Sequence, residues 1–329
     1  MIDVCERLLV SVCCITYNHE KYIHDTIRGF LYQKTSFQVE FLIHDDASTD
    51  NTQSIVRDLV GSDERFKLIL RTENIKSTGA KVFPILIDMA RGKYLAFCEG
   101  DDYWTDPLKL QKQVDILNSN NEIGLVFSDY SILFQESNFV VKSAQGAKIS
   151  WLINKNYTIY EKLLMDSFIG TLTVMFRKSF LDGNDIKVLT ESKWIMGDRL
   201  LWLLLSRKTQ FYYLDEVTAM YRRNQGSISN VEKDDTSFFN QSYQIRFYFI
   251  QQYGCSKEVK FIVERDYYKG LIARHFQYFR KKDLDMAFYN LKKLDALNFK
   301  DYYFFIGTRS FFLHSIFTFA LKVYNKIFQ

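Results

Sequence analysis

The sequence predicts an α/β fold built on a mixed, mainly parallel sheet and followed by a helical C-terminal region. Over the first 130 residues, five short β-rich runs alternate with stretches whose apolar residues recur at three- and four-residue spacing. The 329 residues are 47% hydrophobic and 25% charged with only 2 Pro, which excludes disordered, collagen-like and disulfide-scaffold classes. Past about residue 230 the β-rich runs stop, and aromatic stripes alternate with Lys and Arg. Two regions follow, 1–230 and 231–329.

In order, the expected strands are 8–15, 39–44, 66–70, 94–98 and 124–128, and the helices between them are 19–33, 52–60, 80–90 and 108–118. Cys5, Cys13, Cys14, Cys98 and Cys255 form no CxxC pair and lie mostly in apolar runs, so they read as packing thiols. Charges among residues 1–6 argue against an export signal, and no run reaches the roughly 18 apolar residues of a spanning helix.

Ligands of such sheets sit beyond the carboxyl ends of the strands. There the sequence reads Thr16-Tyr17-Asn18, then Asp45-Asp46-Ala47-Ser48-Thr49-Asp50, then Arg71, then Glu99-Gly100-Asp101-Asp102. No GxGxxG or GxxxxGK loop follows the first strand, which argues against a dinucleotide dehydrogenase or P-loop ATPase. Clustered carboxylates raise one another's pKa unless a cation joins them, and Mg²⁺ or Mn²⁺ suits hard oxygen ligands such as Asp101 and Asp102. The plainer alternative is that these acids cap the helix beginning near Pro107. Asp50 and Ser48 suit a turn and cap before residue 52, leaving Asp46 to face the cleft.

The chain resembles the family 2 glycosyltransferases of the GT-A fold, especially bacterial enzymes that build capsule and O-antigen polysaccharides. The matching segments are VSVCCITYNHEKYI (10–23), FLIHDDASTDNT (41–52), KYLAFCEGDDYWTDPLKLQKQ (93–113) and MGDRLLWLLLSRKTQFYYLDEVTAMYRRNQGSIS (196–229). The resemblance implies a nucleotide-sugar donor, a UDP-sugar, held across the strand ends by Thr16, Tyr17, Asn18 and Asp46, with Tyr17 and Asp46 on the base. It equates Glu99-Gly100-Asp101 with the family's DxD element, Glu99 replacing the usual Asp. Arg71 stands where a donor-binding basic residue is common, or is a salt-bridged surface arginine.

The catalytic base is implied to be Asp198, with Gly197 replacing a common Glu; Asp198 also suits a helix cap. As base it implies a single displacement with inversion. Residues 221–227 resemble a mobile loop in which Arg222 or Arg223 contacts phosphate and Gly226 serves as hinge, or are a solvated basic turn. Trp104 and Trp194 flank the acidic motifs and are candidates either to stack on an acceptor sugar or to fill the core.

The C-terminal region concentrates positive charge: residues 241–329 hold 15 Lys and Arg against 7 Asp and Glu. Its aromatic and basic composition suits peripheral contact with an anionic membrane, or packing on the catalytic domain or on a second copy in a homo-oligomer. The expected reading is an inverting, metal-dependent hexosyltransferase at the cytoplasmic face of the cell membrane, acting on a glycan carried by a polyprenyl lipid. The alternatives are an inactive nucleotide-sugar-binding or assembly subunit and a nucleotidyltransferase. No nucleic-acid motif is present, and the cleft is acidic.

Overall fold

The computed structural model describes residues 8–75, 81–144, 149, 157–224 and 236–328, with the backbone alone for 322–328. It divides into two compact units, Met1–Ser227 and Ile228–Gln329.

In the first unit the five predicted strands form as β1 (Leu8–Thr16), β2 (Gln38–Asp45), β3 (Phe66–Leu70), β4 (Tyr94–Glu99) and β6 (Ile123–Phe134), the last running well past its expected end. Four more strands join them: β5 (Tyr103–Trp104), β7 (Phe139–Val141), β8 (Met175–Arg177) and β9 (Gln210–Arg223). The sheet order is β3-β2-β1-β4-β8-β6-β9-β5, with β7 beside β6. The first four strands are mutually parallel, β8 runs antiparallel between β4 and β6, and β6 and β9 are parallel again. The fold is therefore mixed α/β, as expected.

Burial on both faces explains the unbroken apolar runs of the central strands. Val10, Val12 and Cys14 of β1 face one layer of core with Phe41 and Ile43 of β2, while Cys13 and Leu42 are buried on the other. Helix α1 (Ile23–Leu31) adds Ile23, Ile27 and Phe30 from a single stripe. Helices α2 (Thr52–Val60), α3 (Val82–Met89) and α4 (Lys109–Ser119) fall close to their predicted positions, and α5 (Ile159–Met165), α6 (Gly183–Glu191) and α7 (Gly197–Ser206) follow.

At the amino ends of the parallel strands, the buried Glu40 ties three segments together. Its Oε1 accepts from Ser11 Oγ at 2.6 Å and from the Arg91 amide at 2.8 Å, and its Oε2 lies 2.8 Å from an Arg91 guanidinium nitrogen and 3.1 Å from Lys67 Nζ. Burial opposes ionisation, but the bonds from Ser11, Arg91 and Lys67 outweigh it and hold the carboxyl at about 2.

The second unit holds α8 (Thr236–Tyr253), α9 (Lys257–Gln277), α10 (Lys281–Lys293), α11 (Phe299–Gly307) and α12 (Phe311–Phe328). Ile272, Phe276, Leu284, Phe288, Leu291 and Phe304 make its core. No helix among the described residues is long and apolar enough to cross a membrane.

Replacing Glu40 by Gln is expected to cost about 2 kcal/mol at neutral pH, the scale of hydrogen bonds to a charged group. Because the folded pKa is depressed, the carboxylate's contribution is complete above its ordinary value of 4.5 and disappears as pH falls toward about 2. Urea unfolding of both proteins across this range should show the two stabilities converging in acid.

Candidate active site

Four strand ends meet along one edge, joined by backbone bonds that continue the sheet past its last regular pairs. The Asp46 amide donates to Thr16 O at 3.0 Å, the Arg71 amide to Asp45 O at 3.0 Å and the Gly100 amide to Ile15 O at 2.9 Å. Gly100 permits the approach. A Cβ there would lie 2.4 Å from Thr16 Oγ1 and 2.9 Å from His19 Nδ1, so a side chain would force β1 and β4 apart.

The β1 and β2 turns brace each other. Asn18, at φ 55°, accepts the Thr49 amide on Oδ1 at 2.7 Å and donates its own amide to Ser48 Oγ at 2.8 Å. Asp45 accepts from the Ser48 amide at 2.8 Å, which holds Ala47 at φ 63°, a strained value for a residue with a Cβ. Asp50 accepts from the Thr52 amide at 3.0 Å and so closes the start of α2 as expected. Tyr17 is left 43% exposed, whereas Asp46 is buried and accepts the Ile75 amide at 2.8 Å. The Arg71 side chain is exposed and has no carboxylate partner among the described residues.

The acids after β4 divide by environment. Glu99 is partly buried, and its Oε2 is sealed from solvent with no hydrogen-bond partner among the described residues. Burial first, and then the charges of Asp101 and Asp198, push its carboxyl up to about 8. Asp101 lies 4.0 Å from His19 Nε2 and accepts Asn224 Nδ2 at 3.3 Å. The Thr171 hydroxyl, in the 3-10 turn Thr171–Thr173, donates to Asp198 Oδ2 at 3.3 Å. Glu99, Asp101 and Asp198 thus share one electrostatic neighbourhood. Asp198 lies in the first turn of α7, whose N-cap makes no side-chain bond, so its carboxylate serves Thr171 rather than the helix end.

A divalent cation fits this set. An unpartnered carboxylate oxygen, raised toward neutrality by two neighbouring acids, is the deficit that a cation relieves. Among the described residues no group of three or more His, Cys, Asp or Glu is placed to hold a metal ion by itself.

Two expectations are corrected, and both tryptophans take the core alternative. Asp102 is 2% exposed, and its Oδ1 accepts the Arg222 amide at 2.7 Å; it anchors β9 from beneath and is withdrawn from the metal set. Arg222 is not on a loop but in β9. Its guanidinium donates to Asp101 O at 2.9 Å, Gln135 Oε1 at 2.5 Å and Asp25 Oδ2 at 2.7 Å between the rings of Tyr22 and Tyr103, so all three of its nitrogens already serve the protein. Trp104 is a core residue, 4% exposed, with its indole N–H donating to Leu172 O at 2.9 Å and its ring edge-on to Phe30. Trp194 is buried as well. Arg223 is exposed over the Phe134 ring, and Gly226 with the rest of that loop lies outside the described residues.

Sequence reasoning missed His19, Thr171 and Asn224. His19 stood inside a quoted segment; Thr171 had no motif around it. It also missed what holds the Thr171 turn: Gln113 Nε2 donates to Thr173 O at 2.7 Å, and buried Lys109 donates to Gln113 Oε1 at 2.7 Å.

A sheet of this order, with acids gathered beyond its parallel strand ends, defines a GT-A-type transferase fold. The chain belongs to glycosyl transferase family 2, whose signature matches residues 11–183. It is 30% identical over 224 residues, covering 68% of this chain and 80% of the other, to the Escherichia coli UDP-Glc:alpha-D-GlcNAc-diphosphoundecaprenol beta-1,3-glucosyltransferase WfgD. It is 38% identical over 170 residues to the uncharacterized protein Rv1520 of Mycobacterium tuberculosis, covering 51% of this chain and 47% of that one; the match thus spans about half of that relative's length. In fold it is similar to the mannosyltransferase PcManGT of Pyrobaculum calidifontis, solved with GDP-Man and Mn²⁺, with a TM-score of 0.56, 14% identity, and coverage of 96% of this chain and 80% of that one.

Replacing Gly100 by Ala is expected to destabilise the chain by about 1–3 kcal/mol through overpacking against Thr16. Replacing the open-space Gly183 by Ala should cost less than about 1 kcal/mol, and paired urea titrations measure the contrast.

Proposed function

We propose that this chain is an inverting glycosyltransferase that moves one sugar from a nucleoside-diphosphate sugar, a UDP-sugar, to a glycan on a polyprenyl lipid carrier. One observation carries the reading: the Glu99 carboxylate, whose sealed Oε2 has no hydrogen-bond partner among the described residues, stands in the charge field of Asp101 and of Asp198, which begins a separate helix. The names of WfgD and its donor and acceptor support the UDP-sugar and lipid-linked assignments, and the Mn²⁺ in a fold neighbour supports the cation.

Asp101 and Glu99 would hold the divalent ion, which when bound offsets charge on the departing diphosphate. Tyr17 is the exposed ring for the base, with Asp46 and Asn18 bracing the turns beneath it and the exposed Arg71 following β3 beside them. Asp198 accepts the proton of the attacking hydroxyl as the new bond forms at the anomeric carbon and the bond to the diphosphate oxygen breaks. Thr171 orients that carboxylate through Oδ2. Attack opposite the leaving group inverts the anomeric centre.

The second unit is proposed to rest on an anionic lipid surface. Phe299, Phe311, Phe312 and Phe319 are 86%, 72%, 73% and 69% exposed, although Phe304 and Phe317 of the same two helices pack inward. Apolar side chains facing out beside an excess of Lys and Arg suit a headgroup interface.

Asp198→Asn is expected to keep donor affinity and lose transfer by about a hundredfold or more, whereas Asp101→Ala should abolish Mn²⁺-dependent UDP binding; turnover assays and calorimetry separate the two. A binding or assembly subunit would show UDP affinity without transfer in the unaltered chain. Changing Phe311, Phe312 and Phe319 to Ser should release the protein from anionic vesicles in sedimentation while leaving its thermal unfolding near that of the parent.

A further inference from the structure

The sheet edge opposite the acid cluster carries a cavity of about 650 Å³ lined by Leu8, Leu9, Arg91, Lys93, Lys178 and Ser179. It lies where β1 and β4 begin and β8 ends, so three cations gather at one rim. Each is held in place by something other than a full neutralising partner. The Arg91 guanidinium shares the single charge of Glu40 with Lys67. Lys178 Nζ donates to the Ala90 carbonyl at 2.7 Å and has no carboxylate partner among the described residues. Lys93 Nζ stands 4.9 Å over the ring of buried Tyr94 and likewise has none.

The backbone that carries them is also fixed. A Cβ at Gly92 would fall 2.6 Å from the Ser11 amide nitrogen, and the Gly92 amide donates to Ser11 Oγ at 2.8 Å, which in turn donates to Glu40. Arg91, Lys93 and Lys178 therefore meet at one cavity, and among the described residues only Arg91 has a carboxylate, Glu40, which it shares with Lys67. Packing cations against each other costs free energy that an anion would recover, and two of them keep unused N–H donors. Leu8 and Leu9 give the cavity an apolar wall.

We propose that this cavity is a second ligand site, separate from the proposed donor cleft, that takes a phosphate group through Lys93, Lys178 and Arg91. The phosphate belongs either to a soluble ester or to a lipid headgroup, and the chemistry of capture is the same.

Calorimetry with inorganic phosphate, in EDTA and at low ionic strength, tests it on the full chain. Binding is expected without divalent metal, weakening with added salt. It should fall about tenfold or more in the Lys93→Gln, Lys178→Gln double variant and stay unchanged in Asp101→Asn. Lys93→Gln alone covers the case in which losing the Lys178 bond to Ala90 disturbs folding, since Lys93 Nζ donates no hydrogen bond among the described residues. The second arm is sedimentation with phosphatidic acid vesicles, using the chain whose exposed α12 phenylalanines are Ser. Lysine-dependent binding to vesicles as well as to free phosphate assigns a headgroup; lysine-dependent binding to free phosphate alone assigns a soluble ester. Absence of phosphate binding at millimolar concentration in both arms, or equal binding in parent and lysine variants, overturns the proposal.

Discussion

The close approach of β1 and β4 at their carboxyl ends is the constraint on which the site depends. A glycine at position 100 lets the chain leaving β4 turn against Thr16 and His19, and that turn sets Glu99 on one side and Asp101 on the other. With a side chain at 100 the two acids would separate from the β1 turn, and Tyr17 would no longer share an edge with them. The burial that makes the arrangement rigid also makes it electrostatically unsatisfied, because Glu99 loses water without gaining a counterion among the described residues.

The acidic run after β4 is a small example of division of labour. Asp101 reaches Asn224 and His19, whereas its neighbour Asp102 turns into the interior and fastens the backbone of β9. Arg222 completes that joint by bonding the Asp101 carbonyl and Asp25 of α1. Trp104 and Gln113 hold the carbonyls of Leu172 and Thr173, so the residues that follow the acids in sequence fix the turn that presents Thr171 to Asp198. Much of the segment 93–113 is thus scaffold for a hydroxyl some sixty residues away.

Which parts were legible follows from the kind of signal each leaves. The central parallel strands are buried on both faces and announce themselves as apolar runs, and β3 and α2 have their predicted bounds. Strand β9 is buried at only three of its fourteen residues and mixes polar and charged residues with aromatic ones, so it offers no such run; its last residues read as a loop. Glu99, Asp101 and Asp198 were legible because carboxylates at strand and helix ends are few and chemically specific. Arg222 is misplaced for the same reason in reverse, and Trp104 keeps two readings: residue type states what a side chain is capable of, while burial and partners decide what it does. Thr171 left no trace, since one hydroxyl in an unremarkable segment acquires meaning only from its two acidic neighbours.

The departure at Gly197 also has a local cause. Its missing Cβ would stand 3.3 Å from the Phe83 ring of α3, and that ring stacks on Phe97 of β4 at 5.0 Å between centroids. A longer residue at 197 would press on this stack and, through it, on the strand that ends in Glu99. The start of α7 is therefore seated against the same strand that delivers the acidic cluster, with Asp198 one residue beyond the contact. Small size at 197 and acid character at 198 answer to different demands: the first to packing between α3 and α7, the second to the hydroxyl of Thr171 and the charge of Glu99. A substitution at 197 would consequently act on Asp198 through its position, leaving its chemistry intact.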